Sequence, residues 1–399
     1  MSYKKLSKGL SQKQARKQLE EVMPDQKEIK KSFQGLTPPS IFIGSHNYPK
    51  VNTGVLSPNT TTNSSQLMDN PEKWIQKDYS IRKIASLRTS LINSKQKTQV
   101  EETEKFTSQA REIAMADKQV NIEVELDKKP RQNTKAGRVK PVSSSANIKQ
   151  FKLGENPSVN RQIEKKFYDD EARTETAIKE LQNKNISNYK IQQAFSAGML
   201  GEEKSRKLVP TRWSITATDD HLGQNLRHQV KNQQELGETQ YHKAQYLGNH
   251  FHIFLIPGKW EYELIELKRP GSTFNQTQKS FLVQNYEPFT GRTDYAEKTA
   301  GAYYAARLSA LEHLNQINRQ AKVLIVREVT PKYWLPLGVW TIRETTRKAL
   351  QQKTESETEI ENIKDIKKQL SQEFTINYPK IKQNSKLLQN RQTQIQNYF

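Results

Sequence analysis

The chain has 399 residues, no cysteine, a hydrophobic fraction of 33% and a formal net charge of +21 at pH 7. The lack of cysteine excludes disulfides, thiolate zinc sites and cysteine nucleophiles, and no apolar run reaches the length of a membrane span. The length allows one large or two ordinary domains, and the low hydrophobic content indicates folded cores joined to solvated segments. Because no signal-like apolar stretch follows the first residues, we expect a cytoplasmic protein without a membrane partner.

The positive charge is concentrated in three segments. Residues 1–31 carry nine Lys/Arg against four Asp/Glu, residues 128–166 carry eleven against two, and residues 376–391 carry four against none. Such concentration is typical of proteins that contact DNA or RNA, although a solubilising tail gives the same pattern. For the middle segment we favour DNA contact. The residues that we expect to make it are Lys128, Lys129, Arg131, Lys135, Arg138 and Lys140.

Apolar spacing and turn residues predict the elements of the first half of the chain. Asp69-Asn70-Pro71 predicts the start of a helix. In chain order, the predictions are a basic helical tail over 1–33, a strand over 37–44, one helix from Asp69 through Leu87, a helix over 102–116, a strand over 119–126 and an extended loop over 128–160.

The second half predicts further strands and helices. Pro257-Gly258 predicts a hairpin turn between two of the strands. In chain order, the predictions are two helices within 161–201, a strand over 213–218, a helix over 220–232, strands over 240–247, 250–257 and 261–268, a helix over 295–316, strands over 323–326 and 337–340, helices over 341–352 and 355–373, and a basic flexible tether over 374–391. Together they predict an α+β fold with a largely antiparallel sheet. We expect one extended core, with parts over 34–285 and 286–373.

The last eight residues form a typical sliding-clamp docking peptide. Ile395, Tyr398 and Phe399 fall on the same side of a helical turn, and Gln392 can hydrogen-bond at the edge of a partner's groove. The alternative is that the two terminal aromatics fold back and pack on the protein itself. We favour docking, with a sliding clamp as partner.

Two pairs of charged residues are candidates for chemistry. Asp219 and Asp220, at a predicted strand end, could hold a divalent metal, but neighbouring residues of a strand point to opposite faces and one can equally cap a helix. Glu266 and Lys268 share a strand face, as in nucleases that use such a pair to hold Mg²⁺ and activate water. A Mg²⁺-dependent nuclease or other DNA-processing enzyme is therefore the alternative function. Otherwise we expect no cofactor and no metal.

Arginine and aromatic residues gather near the start of the helix predicted over 295–316. These residues could bind phosphate and stack bases, or they could form a buried ion-pair and packing cluster. They are Arg292, Tyr295, Glu297, Tyr303, Tyr304 and Arg307. The sequence leaves both possibilities open. As further candidates for DNA contact we name Arg212, Arg292 and Arg307.

Several blocks of the chain resemble the archaeal Nre family of DNA-repair proteins, in family order. The blocks are residues 38–44, 48–54, 208–220, 246–249, 291–297, 301–307 and 338–344. The resemblance implies a clamp-associated role in the repair of damaged DNA, since the family also ends in a clamp-docking peptide. It implies no particular reaction.

The chain departs from the family pattern at two places. Many members open with a cysteine cluster suited to zinc, where this chain has a basic segment without cysteine. Lys268 stands where the resemblance implies a residue without positive charge, which weakens the nuclease alternative.

Overall fold

A computed structural model describes residues 12–25, 27–58, 65–132, 144–352 and 378–389. Two compact units divide after residue 222, with the first at Gln12–Leu222 and the second from Gly223 onward. Both mix helices with strands, which confirms the predicted α+β class. The sequence suggests a division near residue 285 instead. The boundary after residue 222 falls inside a helix, Thr211–Val230, and no change in composition marks it in the sequence.

The first unit is built on a sheet with the order β1-β5-β7-β4-β3-β2 and with β6 paired to β7. Its neighbours run antiparallel, except for β4 and β7, which are parallel. The described strands are β1 Ser32–Thr37, β2 Ile41–Ile43, β3 Lys50–Pro58, β4 Leu91–Gln99, β5 Val120–Leu126, β6 Arg131–Gln132 and β7 Ser144–Leu153. Strand β5 confirms the predicted strand over 119–126, with every second residue buried.

The described helices of this part of the chain precede, separate or follow these strands in the sequence. They are α1 Gln12–Glu20, α2 Pro71–Gln76, α3 Ile81–Thr89, α4 Lys105–Met115, α5 Arg161–Phe167, α6 Thr174–Asn183, α7 Asn188–Ser196 and α8 Thr211–Val230. The single helix predicted from Asp69 to Leu87 is in fact α2 and α3. The helix starts where Asp69-Asn70-Pro71 predicts it, and Asn70 caps α2, but Asp78 has a left-handed φ of 49° and the Ser80 hydroxyl caps a new helix by accepting from Lys83 N at 3.2 Å.

The prediction of an extended loop over 128–160 is wrong for its second half. Strand β7 lies between β5 and β4 in the sheet order: its residues 144–147 pair with β4 and its residues 148–153 pair with β5. The exposed positions of β7 carry polar residues, and one of them, Lys149, forms a 2.8 Å ion pair with Glu125 of β5. The basic composition therefore hid a strand that tertiary pairing stabilises.

The predicted strand over 213–218 is also wrong, since these residues form the first turns of α8. Aromatic and β-branched residues at Trp213, Ile215 and Thr216 favour a strand locally. The buried positions of α8 instead recur every fourth residue, as in a helix. They include Ser214, Thr218, Leu222, Leu226 and Val230.

The second unit is built on a sheet with the order β12-β11-β14-β10-β9, in which only β11 and β14 are parallel. A short pair, β8 with β13, is also parallel. The described strands are β8 Gln234–Glu235, β9 Gln240–Tyr246, β10 Asn249–Ile256, β11 Glu261–Lys268, β12 Phe281–Glu287, β13 Arg319–Gln320 and β14 Lys322–Val329. The described helices are α9 Gly301–Gln316, α10 Trp340–Gln351 and α11 Tyr378–Asn384.

Two further predictions in this unit are wrong. Strands β10 and β11 do not pair as a hairpin around Pro257-Gly258, because the buried apolar strand β14 lies between them. The strand predicted over 337–340 is a loop that leads into α10, since Gly338 adopts a φ of 105° and ends any extended run. Local residues reveal a turn, but not which distant strand enters beside it.

The segment 378–389 is anchored, whereas the sequence predicts a flexible tether over 374–391. Ile381, Leu387 and Leu388 are buried in an apolar cluster with residues of the sheet such as Phe254. Fully burying side chains of this size contributes about 1.5–3 kcal/mol each. These three aliphatic residues, which stand among lysines and amides, are the feature of the sequence that indicates packing of this segment.

The described ranges contain no helix that combines the length and the hydropathy required to cross a bilayer.

Candidate functional site

The residues of the predicted basic loop are only partly described. Lys128 and Lys129 are exposed after β5, and Lys129 Nζ donates to the carbonyl of Lys27 at 3.0 Å. Outside the described residues lie the side chain of Arg131 and the residues Lys135, Arg138 and Lys140. Contact between this loop and DNA stays a prediction.

The docking peptide also lies outside the described residues, including Gln392, Ile395, Tyr398 and Phe399. The described chain ends at Gln389, so residues 390 and 391 alone separate it from the peptide. The Glu263 carboxylate fixes this end of the chain, because it accepts from Ser385 Oγ at 2.6 Å and from the backbone N–H of Leu387 at 3.1 Å. Sequence reasoning missed Glu263, which interrupts the apolar run of β11.

Glu287 is the centre of a buried ion-pair cluster in the second unit. Its carboxylate pairs with Arg307 at 2.7 Å and with Arg227 at 3.2 Å. The Trp260 indole N–H and the Tyr303 hydroxyl donate to it at 3.1 and 2.6 Å. Burial by itself would raise the pKa of Glu287, but the charge of Arg307 and these hydrogen bonds outweigh burial and lower the pKa. The carboxylate is therefore ionised between two cations.

This cluster decides the role of Arg307. The side chain is 1% exposed, so its guanidinium holds the fold together and does not face solvent, where a phosphate could reach it. Gly291 is required beside the cluster, because a Cβ there would lie 1.9 Å from Arg227 Nη1. Of the two interpretations that the sequence leaves open, the ion-pair cluster describes Arg307.

Arg292 braces the loop between β12 and α9. Its guanidinium nitrogens donate to the carbonyls of Tyr286, Asp294 and Tyr295 at 3.1, 3.3 and 3.2 Å. Tyr295 is 51% exposed and stacks on Tyr304, with 5.5 Å between ring centroids. The loop thus presents a rigid aromatic ring, whereas Arg292 is engaged with the backbone.

Asp219 and Asp220 lie in the middle of α8 and not at a strand end. Asp219 is buried, and its carboxylate accepts from Gln192 Nε2 at 3.4 Å. Arg212, the second residue of the same helix, is exposed. The position of Arg212 is thus compatible with a phosphate contact, whereas Asp219 has a structural hydrogen bond.

Glu266 and Lys268 do share a face of β11, with 3.3 Å between Lys268 Nζ and the Glu266 carboxylate. The same carboxylate forms a buried ion pair with Arg327, whose guanidinium also donates to Asn249 Oδ1. Lys268 and Arg327 therefore already neutralise the negative charge of Glu266 that would attract Mg²⁺, so this group of side chains does not fit the ion.

The four residues of the nuclease alternative fall in two different compact units. In the part of the chain that the structure describes, no group of three His, Cys, Asp or Glu side chains could hold a metal ion. The alternative stays a prediction that no observation favours.

Comparison with known sequences relates the whole chain to one family. The family profile described as "Archaeal Nre, N-terminal" matches residues 10–275, and the profile described as "Archaeal Nre, C-terminal" matches residues 287–398. No solved structure matches the chain.

Three relatives extend this similarity. The chain is 40% identical over 345 residues to DNA repair protein NreA of Haloferax volcanii, which covers 84% of this chain and 82% of the relative. It is 38% identical to DNA repair protein NreA of Archaeoglobus fulgidus, over 80% of each chain. It is 33% identical to DNA repair protein NreB of the same species, again over 80% of each chain.

Proposed function

The chain belongs to the archaeal Nre family, and from this premise we propose that it is a DNA-repair factor recruited to DNA by a sliding clamp. The observation that carries the repair role is the 40% identity, over 84% of the chain, to a relative named DNA repair protein. The residues Gln392, Ile395, Tyr398 and Phe399 support clamp docking. The net charge of +21 and the exposed Lys128 and Lys129 support DNA contact without readout of sequence.

The anchored segment 378–389 gives this recruitment a short reach. Two extended residues, 390 and 391, span at most about 7 Å. A clamp that binds the peptide is therefore held close to the second unit, and the short link raises the local concentration of one partner near the other. This mechanism replaces the long flexible tether that the sequence suggests.

Clamp docking is tested by titrating a purified sliding clamp into the full chain and into a variant that lacks residues 392–399. We expect the deletion, and likewise Tyr398→Ala with Phe399→Ala, to weaken binding at least about 30-fold, because truncation of buried aromatic anchors costs about 2 kcal/mol or more. Gln394→Ala with Asn397→Ala is the matched control, since a helical turn would place these positions on the opposite side from Ile395, Tyr398 and Phe399. Unchanged affinity of the deletion variant contradicts clamp docking.

DNA contact is tested by fluorescence anisotropy with duplex and single-stranded oligonucleotides at increasing salt. We expect affinity to fall steeply with salt. In a plot of the logarithm of the binding constant against the logarithm of the salt concentration, each phosphate contact should add about −0.9 to the slope. Lys128→Gln with Lys129→Gln should make this slope shallower, whereas Lys179→Gln, at an exposed position of α6, should not. A flat salt response of the unmodified protein would rule out this contact.

A further inference from the structure

Two large aromatic side chains lie in contact on the surface of the first unit. Tyr48 is 39% exposed and Trp213 is 47% exposed, and their ring centroids are 5.1 Å apart at an interplanar angle of 52°. Side chains of this size contribute most when buried, so two that remain exposed and touch each other point to a binding role. We call Tyr48 and Trp213 the aromatic pair.

The segments that carry the aromatic pair are far apart in sequence and are joined by backbone hydrogen bonds. Val100 N donates to the carbonyl of Pro49 at 3.1 Å, and the carbonyl of Val100 accepts from Leu208 N at 2.8 Å. The backbone of one residue thus connects the loop that carries Tyr48 to the segment that leads to Trp213.

A second link lies at the edge strand β2. The N–H of Ile43 donates to the Thr211 hydroxyl at 2.8 Å, two residues before Trp213. Ser196 Oγ lies 3.2 Å from the same hydroxyl and donates to the carbonyl of Val209 at 2.8 Å. The aromatic pair therefore stands on a hydrogen-bonded frame, and a ligand would not have to order it.

The charges beside the aromatic pair are mixed. Lys50 and Arg212 are exposed on the same two segments, two residues after Tyr48 and directly before Trp213 in the sequence. Glu101 and Glu102 are exposed directly after Val100, so the surface is not a uniformly basic track for a duplex backbone. Two exposed rings with single flanking cations fit an unpaired base and its neighbouring phosphates.

We propose that Tyr48 and Trp213 form a stacking platform for an unpaired DNA base, with Lys50 and Arg212 beside the adjacent phosphates. This platform rests on the proposed contact with DNA and adds a preference for gaps, ends and single strands. Stacking tolerates any base because every base has a π-face, so the platform recognises unpairing and not sequence.

The test compares the full chain with Trp213→Ala on three labelled probes: a duplex, the same duplex with a short central gap, and a single strand. We expect Trp213→Ala to weaken binding to the gapped and single-stranded probes by about 5- to 150-fold, the range for one stacked base, and to leave duplex binding unchanged. This loss should be equal at low and high salt, because stacking releases no counterions.

Three variants sharpen the result. Trp213→Phe keeps a ring and should retain most of the affinity, Tyr48→Ala should reproduce part of the loss, and Tyr168→Ala, which removes a 72% exposed ring elsewhere in the unit, should have no effect. Arg212→Ala should reduce the salt slope by about 1. A Trp213→Phe protein that folds but binds as weakly as Trp213→Ala overturns stacking.

The outcomes separate the two proposals. If the unmodified protein binds DNA and Trp213→Ala binds the gapped probe equally well, the platform is overturned, DNA contact stands, and the aromatic pair is left as a surface for a protein partner. If Trp213→Ala loses duplex and gapped binding equally, the preference for unpaired bases is overturned. If the unmodified protein binds none of the probes, both proposals fail.

Discussion

Glu287 shows how one buried carboxylate can set the stability of a whole unit. The Glu287→Gln change removes the negative charge that Arg307 and Arg227 face at 2.7 and 3.2 Å. Because a broken buried ion pair leaves charge in a region of low dielectric, we expect the free energy of unfolding to fall by about 3–5 kcal/mol, measured by urea denaturation. Glu125→Gln, which breaks the exposed pair with Lys149, is the control and should lower the free energy of unfolding far less, because solvent screens that pair. Equal losses in the two variants would contradict the role given to Glu287.

His252 gives the second unit a defined sensitivity to acid. Burial, helped by the nearby charges of His250 and Lys243, lowers the pKa of His252 to about 3. The unfolded chain binds this proton near pH 6.5, so stability rises with pH between the two values and is lost as the pH falls. Between pH 7 and pH 5 we expect His252 to account for a loss of about 2 kcal/mol.

The matched variant for this loss is His252→Asn. An amide oxygen can still accept from the Tyr241 hydroxyl, which lies 2.7 Å from His252 Nδ1, but it does not titrate. The free energy of unfolding of the variant, measured at both pH values, should therefore fall less than that of the unmodified protein. A fall of the same size in both proteins would show that another group causes the acid sensitivity.

Among the elements, the C-terminal segment 378–389 depends most on a single side chain. The Glu263 carboxylate accepts from the N–H groups of Lys386 and Leu387 at the start of the last helical turn. Glu263→Ala removes this acceptor, and we expect hydrogen exchange of these amides to speed up by about 5- to 150-fold, as for a loss of about 1–3 kcal/mol. Lys386→Ala, which keeps the amide and changes only an exposed side chain, should exchange like the unmodified protein. Unchanged exchange in Glu263→Ala would contradict the anchor.

The elements that the sequence predicts well are those whose signal is local. Strand β5 alternates strictly, and α2 begins where Asp69-Asn70-Pro71 predicts a helix start. Strand β7, the position of β14 and the first turns of α8 could not be predicted in this way, because long-range pairing and burial decide them. The same limit applies to the site, since the sequence groups Arg307 with its neighbours but does not reveal that Glu287, at the end of strand β12, forms a buried ion pair with it.

For the whole molecule, the arrangement that matters is the short link between the folded chain and the proposed docking peptide. Glu263→Ala should favour the release of residues 378–389, which then join residues 390 and 391 in a longer link. Effective concentration falls roughly as the −3/2 power of link length, so we expect a smaller effect of a DNA-loaded clamp on DNA affinity, by up to about tenfold where the segment is released. Direct affinity for the free clamp should not change, because the peptide itself is intact.

This last expectation is measured as the ratio of DNA affinities with and without the loaded clamp. Lys386→Ala is again the control, because it alters the same turn without removing its anchor. A ratio that is reduced in Glu263→Ala alone supports recruitment through a short link. A ratio equal in all three proteins would mean that the link between Gln389 and Gln392 does not position the clamp, even if the peptide binds it. The fold would then contribute DNA contact and the peptide would contribute clamp affinity, with no coupling between them.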